Sequence, residues 1–331
     1  YNQAGKIGDN PFPTNPMSDR AIGYLLQGKA QAAISNYGNI INWDEHPMGI
    51  WNGFSYLPSV AFLAGVPGHK YSSEFFWEKG YLHLPGIFSI QEVEALTEDL
   101  VWMMDSWAEN TPGWSGPWRK AYMDAETDNR SKLIAMHDLQ YYSSNWLQAV
   151  QKTNLVSVIA ELIGPDVELH HSTMHIKPPQ AGHPFPMHQD WAFYKHEDSR
   201  YIDALVHLDD TCHENGEIRF LSGSHKSGAL EHVTQTPDGP CTPHLPTDKY
   251  NLNDTVAVPA KRGDVVCFCI HTIHGSHINQ TQKARRLVRV GYRAPNNIQT
   301  AGQSMGRPGF MVSGYRSPQE NQGVFSNAGP A

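Results

Sequence analysis

From residue 167 onward the chain breaks into short β-rich runs separated by turn residues, at 167–176, 201–208, 217–221, 255–258, 265–273 and 287–292. Runs this short and evenly spaced cannot each bury a face alone, and a sandwich or a closed barrel satisfies them together. A double-stranded β-helix, the jelly-roll or cupin-like form, is the closed answer that most often also carries a metal. The expected class is therefore mainly β with flanking helices around such a core. Helical signals come earlier. Ser89-Ile-Gln-Glu92 is a capping box, followed by Val93, Leu96, Leu100, Met103 and Trp107 at core-facing helical spacing. A second helix over 154–162 ends at Gly164-Pro165, a left-handed cap and then a breaker. Between residue 70 and the first of these helices, 75–88 reads as a short strand and a turn closed by Pro85-Gly86.

Two parts are expected in the 331 residues. Residues 1–70 form an N-terminal extension, irregular but too aromatic to be disordered, with one helix near 18–35, packing on the core. Residues 71–331 form the jelly-roll domain, with a surface tail from about 300. A net charge of -8 and the lack of any Lys/Arg run exclude nucleic acid as a partner. The longest apolar stretch, near 54–66, is broken by Pro58 and is far short of the roughly 20 residues of a membrane span. Cys212, Cys241, Cys267 and Cys269 show no paired spacing, which indicates reduced thiols and a cytoplasmic protein. Cys267 and Cys269, two apart in an apolar run, share one strand face as core residues.

With 18 histidines a His-x-Asp pair is close to a chance event, and His188/Asp190, His196/Asp198 and His207/Asp209 all occur. Periodicity separates them. Ile202, Ala204, Val206 and Leu208 form one apolar face, leaving His207 and Asp209 on the other as solvated or structural groups. His196 and Asp198 lie among Lys195, Glu197 and Arg200, the setting of a solvated loop. His188 and Asp190 precede Trp191, Phe193 and Tyr194, an aromatic setting that keeps water from a reactive metal.

Two imidazoles and one carboxylate make the facial set that holds non-heme ferrous iron and leaves coordination positions open. The second imidazole is His271 or His274, with His277 close by. Gly275 and Ser276 allow close approach to the backbone beside His274, whereas His271 falls within a strand. Arg285 and Arg286 follow, and a guanidinium forks onto a carboxylate as a lysine cannot, which suits a keto-acid co-substrate. The loop at 112–119, with Trp114 and Trp118, either covers a pocket or packs on the surface. A zinc hydrolase would use similar donors, commonly with both histidines on one helix. A non-catalytic jelly-roll binding module, such as a sugar-binding domain, would leave Arg285 without a role.

An ordered set of segments carries a family resemblance. These are Phe76-Trp-Glu-Lys-Gly-Tyr-Leu-His-Leu-Pro-Gly86, Ile176-Lys-Pro-Pro179, His188-Gln-Asp190, Glu214-Asn-Gly216, Ser222-Gly-Ser-His225 and His274-Gly-Ser-His-Ile-Asn279 leading to Arg285. Over 75–294 the chain resembles the phytanoyl-CoA dioxygenase family of iron and 2-oxoglutarate oxygenases, which includes ectoine hydroxylase. The resemblance implies that His188, Asp190 and His274 are the iron ligands. It likewise implies that Arg285, assisted by Ser276, anchors the distal carboxylate of 2-oxoglutarate. His175 and Lys132 match positions that contact the co-substrate, and Trp191 and Tyr194 match positions that line the substrate pocket. The implied cofactors are Fe(II), 2-oxoglutarate and O2, with ascorbate as a stimulant. The implied reaction is hydroxylation of an unactivated C–H bond of a small-molecule metabolite, releasing succinate and CO2, with desaturation as the alternative outcome. Asp190 disfavours halogenation, for which relatives carry a small residue there. The first 70 residues match no part of the family core, and a homo-oligomer is left open.

Overall fold

The computed structural model describes residues 73–307 and 309–316. The helix expected near 18–35, the packing of the 1–70 extension and the end of the tail lie outside the described residues. The described chain opens with α1 (Ser73–Lys79), β1 (Tyr81–Leu84), α2 (Ile90–Ser106), β2 (Glu109–Thr111), α3 (Arg119–Tyr122), α4 (Ala125–Arg130), β3 (Leu133–His137), α5 (Ser144–Ala149) and α6 (Thr153–Ile163). Strands then dominate: β4 (Val167–Lys177), β5 (Phe185–His188), β6 (Tyr194–His196), β7 (Tyr201–His207), β8 (Ile218–Phe220), β9 (Val233–Thr236) and β10 (Gly239–His244). The last are β11 (Val256–Val258), β12 (Val265–Cys269), β13 (His274–Ser276), β14 (Arg285–Arg293), β15 (Gln299–Gly302) and β16 (Phe310–Ser313).

Local sequence explains the helices. At α2, Ser89 accepts from the Glu92 amide and the Glu92 carboxylate accepts from the Ser89 amide, while Val93, Leu96, Leu100 and Met103 are buried. Trp107, expected on that buried stripe, is instead the helix C-cap and lies exposed. The stretch expected as strand and turn begins as helix α1. Gly80 ends it with φ +87°, donating to Phe76 O at 2.7 Å, and β1 follows at once.

All strand pairs named by register run antiparallel. One sheet has eight strands in the order β1-β12-β7-β14-β4-β3-β2, with β16 also on β4, and a second has the order β11-β8-β13-β5. This is the double-stranded β-helix of a jelly roll, with the two sheets facing each other. Residues of the expected surface tail add β15 to β6 and β16 to β4. Buried Glu168 holds that end by ion pairs to Arg293, at 2.8 Å, and Arg316.

Register decides which side chains share a face of the large sheet. On the outer face lie Met174 and Ile176 of β4, Ala204 and Val206 of β7, Cys267 and Cys269 of β12, and Val288 and Val290 of β14. These pack with α2, α5 and α6 into the main apolar core. Both thiols are therefore core groups, as the spacing indicated, and burial pushes that of Cys269 up to about 12. On the inner face, Lys177 pairs with Arg285, His175 with Leu287, Thr173 with Arg289, and Leu205 with Arg289 from the other side.

Candidate metal centre and active site

The centre is built on two of the shortest strands. His188 closes β5 and His274 opens β13, and they stand directly opposite in the antiparallel pair. Opposed residues project to the same side, so the rings meet at 4.1 Å between centroids. The strands come this close because residue 275 is glycine: a Cβ there would lie 2.8 Å from Phe185 O. β5 is an edge strand of its sheet, which tolerates the missing amide of Pro186.

Asp190, in the turn after β5, brings Oδ1 to 3.4 Å from His188 Nε2 and 3.7 Å from His274 Nε2. One donor atom from each residue lies within 4.8 Å of the others. His188 Nδ1 donates to Pro186 O at 2.7 Å and His274 Nδ1 to Thr272 O at 2.9 Å. Carbonyls only accept, so each ring carries its proton on Nδ1 and presents a lone pair at Nε2. Burial, and then the neighbouring His188, push His274 down to about 3, which keeps it neutral. At Asp190 burial favours the acid, but the Arg289 guanidinium outweighs it and holds the carboxyl well below its usual range. Two imidazole nitrogens and one carboxylate oxygen, converging in a buried site, fit a divalent metal with a facial set of three protein ligands.

Arg289 gives the set its shape. Its Nη1 donates to Asp190 Oδ2 at 2.9 Å and to the Tyr194 hydroxyl at 2.9 Å, and its Nη2 lies 3.0 Å from His171 Nε2. Only Oδ1 of Asp190 is left to face the imidazoles. Gln189, between the two ligand positions, points away and fixes the next loop, donating to Gly228 O and His271 O and accepting from Leu230 N. His271 contributes that carbonyl and stays outside the donor cluster.

The donors open into a cavity whose walls include Trp114, Phe185, Leu205, Phe268 and Leu287. Arg285 lines it too. It is buried, donating to Gly216 O at 3.2 Å and His175 O at 3.3 Å, with Nε unpartnered and no carboxylate in ion-pair contact among the described residues. Burial, partly opposed by Asp209, pushes its pKa down to about 9. Ser276 and His175 share the cavity.

Other expected site residues lie elsewhere. Lys132 is exposed and outside the lining; only its backbone is engaged, with Ala181 and His183. Trp191 also falls outside the lining, its Nε1 donating to His196 O at 3.0 Å and its ring covered by Lys195. Tyr194 is fully buried behind the donors, its hydroxyl donating to Asp203 Oδ2 at 2.8 Å. Both side chains are occupied by β6 and the inner sheet face. Of the loop tryptophans, Trp114 takes the covering role, 4.7 Å from the His188 ring and 4.8 Å from Phe185, while Trp118 packs against His183. His196 and His207 are buried rather than solvated, and Asp209 is forked by Arg286. Arg289 and Lys177 escaped the sequence reading. Their signal was period two: Thr173, His175 and Lys177 alternate with Met174 and Ile176, and Arg289 stands between Val288 and Val290.

Comparison with known proteins agrees with this architecture. The profile of the family described as phytanoyl-CoA dioxygenase (PhyH) matches residues 76–287. The chain is 27% identical over 222 residues to a probable alpha-ketoglutarate-dependent hypophosphite dioxygenase of Stutzerimonas stutzeri, covering 66% of this chain and 76% of that protein. It is 25% identical over 259 residues to an ectoine dioxygenase of Sphingopyxis alaskensis, covering 72% and 80%. Among solved structures, the non-heme alpha-ketoglutarate-dependent carbocyclase SnoK from nogalamycin biosynthesis shares the fold. The TM-score is 0.56 at 20% identity, covering 70% of this chain and 86% of that one.

Proposed function

The chain belongs to the phytanoyl-CoA dioxygenase family, whose members are iron- and 2-oxoglutarate-dependent dioxygenases, and we propose that in this enzyme His188, Asp190 and His274 hold ferrous iron while Arg285 and Ser276 anchor the distal carboxylate of 2-oxoglutarate. The observation that carries the reading is one cavity lined both by a convergent donor set and by a buried guanidinium that has no carboxylate in ion-pair contact among the described residues. Bound iron and 2-oxoglutarate supply activation of dioxygen, with succinate and CO2 released and an unactivated C–H bond of a small-molecule metabolite hydroxylated.

The chain's own residues do the rest. His188 and His274 would donate through Nε2, with the tautomer of each ring fixed by Pro186 O and Thr272 O. Arg289 takes Oδ2 of Asp190, so the carboxylate donates through a single oxygen and the remaining positions stay open. Leu205, Phe268 and Leu287 wall the space between the donors and Arg285, which strengthens the charge interactions there by excluding water. Trp114 covers His188. His175 borders the same space, and we assign it to the co-substrate; Trp191, Tyr194 and Lys132 are not assigned to ligands.

A small polar substrate suits the relatives' named activities toward hypophosphite and ectoine. No helix of the described residues is long and apolar enough to cross a membrane. Free cysteines, two of them buried in the core, support placement in the cytoplasm. The test needs no substrate. Protein given ferrous iron, ascorbate and 2-oxoglutarate should form succinate slowly, and His188→Ala or Asp190→Ala should abolish it. Arg285→Met should weaken 2-oxoglutarate binding by about 100-fold, the worth of a charge-assisted fork, with iron affinity kept. Wild-type turnover in either ligand variant would refute the assignment.

A further inference from the structure

Lys177 is a second buried basic side chain, set behind the cavity wall where it meets Ser276. It ends β4 directly across the strand pair from Arg285, and both side chains are buried. Like Arg285, it has no carboxylate in ion-pair contact among the described residues. Its Nζ donates to Ser276 Oγ at 2.7 Å and to His277 O, and lies 5.2 Å from the centre of the Phe185 ring. Gly216 leaves it room, since a Cβ there would lie 2.8 Å from Nζ and 2.2 Å from His277 O. Two like charges buried side by side disfavour each other and their own burial, and an anion settling between them relieves both. Burial and then Arg285 act against the Lys177 ammonium and outweigh the opposing charge of Glu217, which is itself paired with Arg219.

The hydrogen bonds give the second cation a route. An ammonium has three donors and no acceptor. Ser276 Oγ therefore accepts from Lys177, and its own hydroxyl hydrogen is left to point elsewhere. Ser276 lines the cavity and has no other hydrogen-bond partner among the described residues.

Resting on the reading of Arg285 as the anchor, we propose that Lys177 is a positioning and specificity residue: acting through Ser276, it presents a second, cation-backed donor to the distal carboxylate beside Arg285, so that the site selects a dicarboxylic 2-oxo acid over a monocarboxylic one. A lysine that only capped the His277 carbonyl would support the fold equally for either acid.

The experiment is anaerobic calorimetry on the full chain loaded with ferrous iron, with 2-oxoglutarate and 2-oxobutyrate as paired probes. Lys177→Met should raise the Kd for 2-oxoglutarate about tenfold, the worth of one charge-assisted hydrogen bond, and leave 2-oxobutyrate and iron binding unchanged. Lys177→Gln, which keeps a donor for His277 O without the charge, should lose the same selectivity, and Lys177→Arg should retain most of it. If Lys177→Met does not fold, the Gln variant decides. In a double-mutant cycle, Ser276→Ala should add little to Lys177→Met, because the two act in series. Equal weakening of both acids, or unchanged 2-oxoglutarate binding, overturns the proposal. If the wild type binds the two acids alike, or Arg285→Met keeps the preference, the anchor reading fails and Lys177 falls with it. A wild-type preference that survives Lys177→Met sinks Lys177 alone.

Discussion

The two faces of the large sheet use the same strands for opposite purposes. On β14 the residues facing the helices are Val288 and Val290, while those facing the barrel interior are Arg285, Leu287 and Arg289. On β4 the outer set is Met174 and Ile176, and the inner set is His171, Thr173, His175 and Lys177. The outer face gains from each apolar area it removes from water. The inner face spends burial on groups that prefer water and satisfies them with one another, as in the network linking Asp190, Arg289, Tyr194 and Asp203. Stability resides on one side of the backbone and chemistry on the other, a division that a strand's period of two makes available without extra chain.

Changing one face at a time separates the two. Leu100→Ala, in the core that α2 presses on the outer face, should cost about 2–5 kcal/mol in chemical denaturation and leave iron and 2-oxoglutarate affinities of the folded protein unchanged. An equal loss of iron affinity would show that the faces are not separable. Arg289→Met should do the reverse in kind. Iron affinity should fall about 10- to 100-fold in anaerobic titration of protein that circular dichroism shows to be folded, because Asp190 loses the partner that fixes its orientation. Iron binding at wild-type strength would remove Arg289 from the metal centre.

Acid should act through buried histidines, and more gently per group. Burial depresses His274 to about 3 and His207 to about 4 from an ordinary 6.5. Between those values and 6.5 the unfolded chain binds more protons than the folded one. Stability is therefore complete above about pH 6.5 and declines as the pH falls toward 4. His207→Gln should flatten that decline measurably in urea titrations at pH 7 and pH 5. An unchanged slope would mean that His207 does not titrate differently in the two states.

What the sequence revealed follows from the same division. Strands β4, β7, β12 and β14 were legible because their apolar outer faces set a pattern long enough to read. β5 and β13, which carry His188 and His274, were not, since four and three residues containing Pro186 and Gly275 have no strand signal of their own. Their conformation comes from pairing with each other and with β8. His196 was misplaced because its charged neighbours mark a loop, yet in β6 the exposed Lys195 alternates with buried Tyr194 and His196. Residues 75–79 were read as extended because Phe75, Phe76 and Trp77 favour strands, while Gly80 supplies the helix stop that overrides them. Trp191 and Tyr194 follow Asp190 closely in sequence, but the turn after β5 sends them behind the donors instead of into the cavity. Proximity to a ligand in the chain does not fix a side chain's direction.

Iron-edge anomalous diffraction from crystals loaded anaerobically with ferrous iron and 2-oxoglutarate tests the metal centre directly. The expected result is one strong peak bonded to His188 Nε2, His274 Nε2 and Asp190 Oδ1, with Asp190 Oδ2 still on Arg289 and the distal carboxylate on Arg285. A peak bonded to other residues, or a triad member turned away from it, would contradict the account.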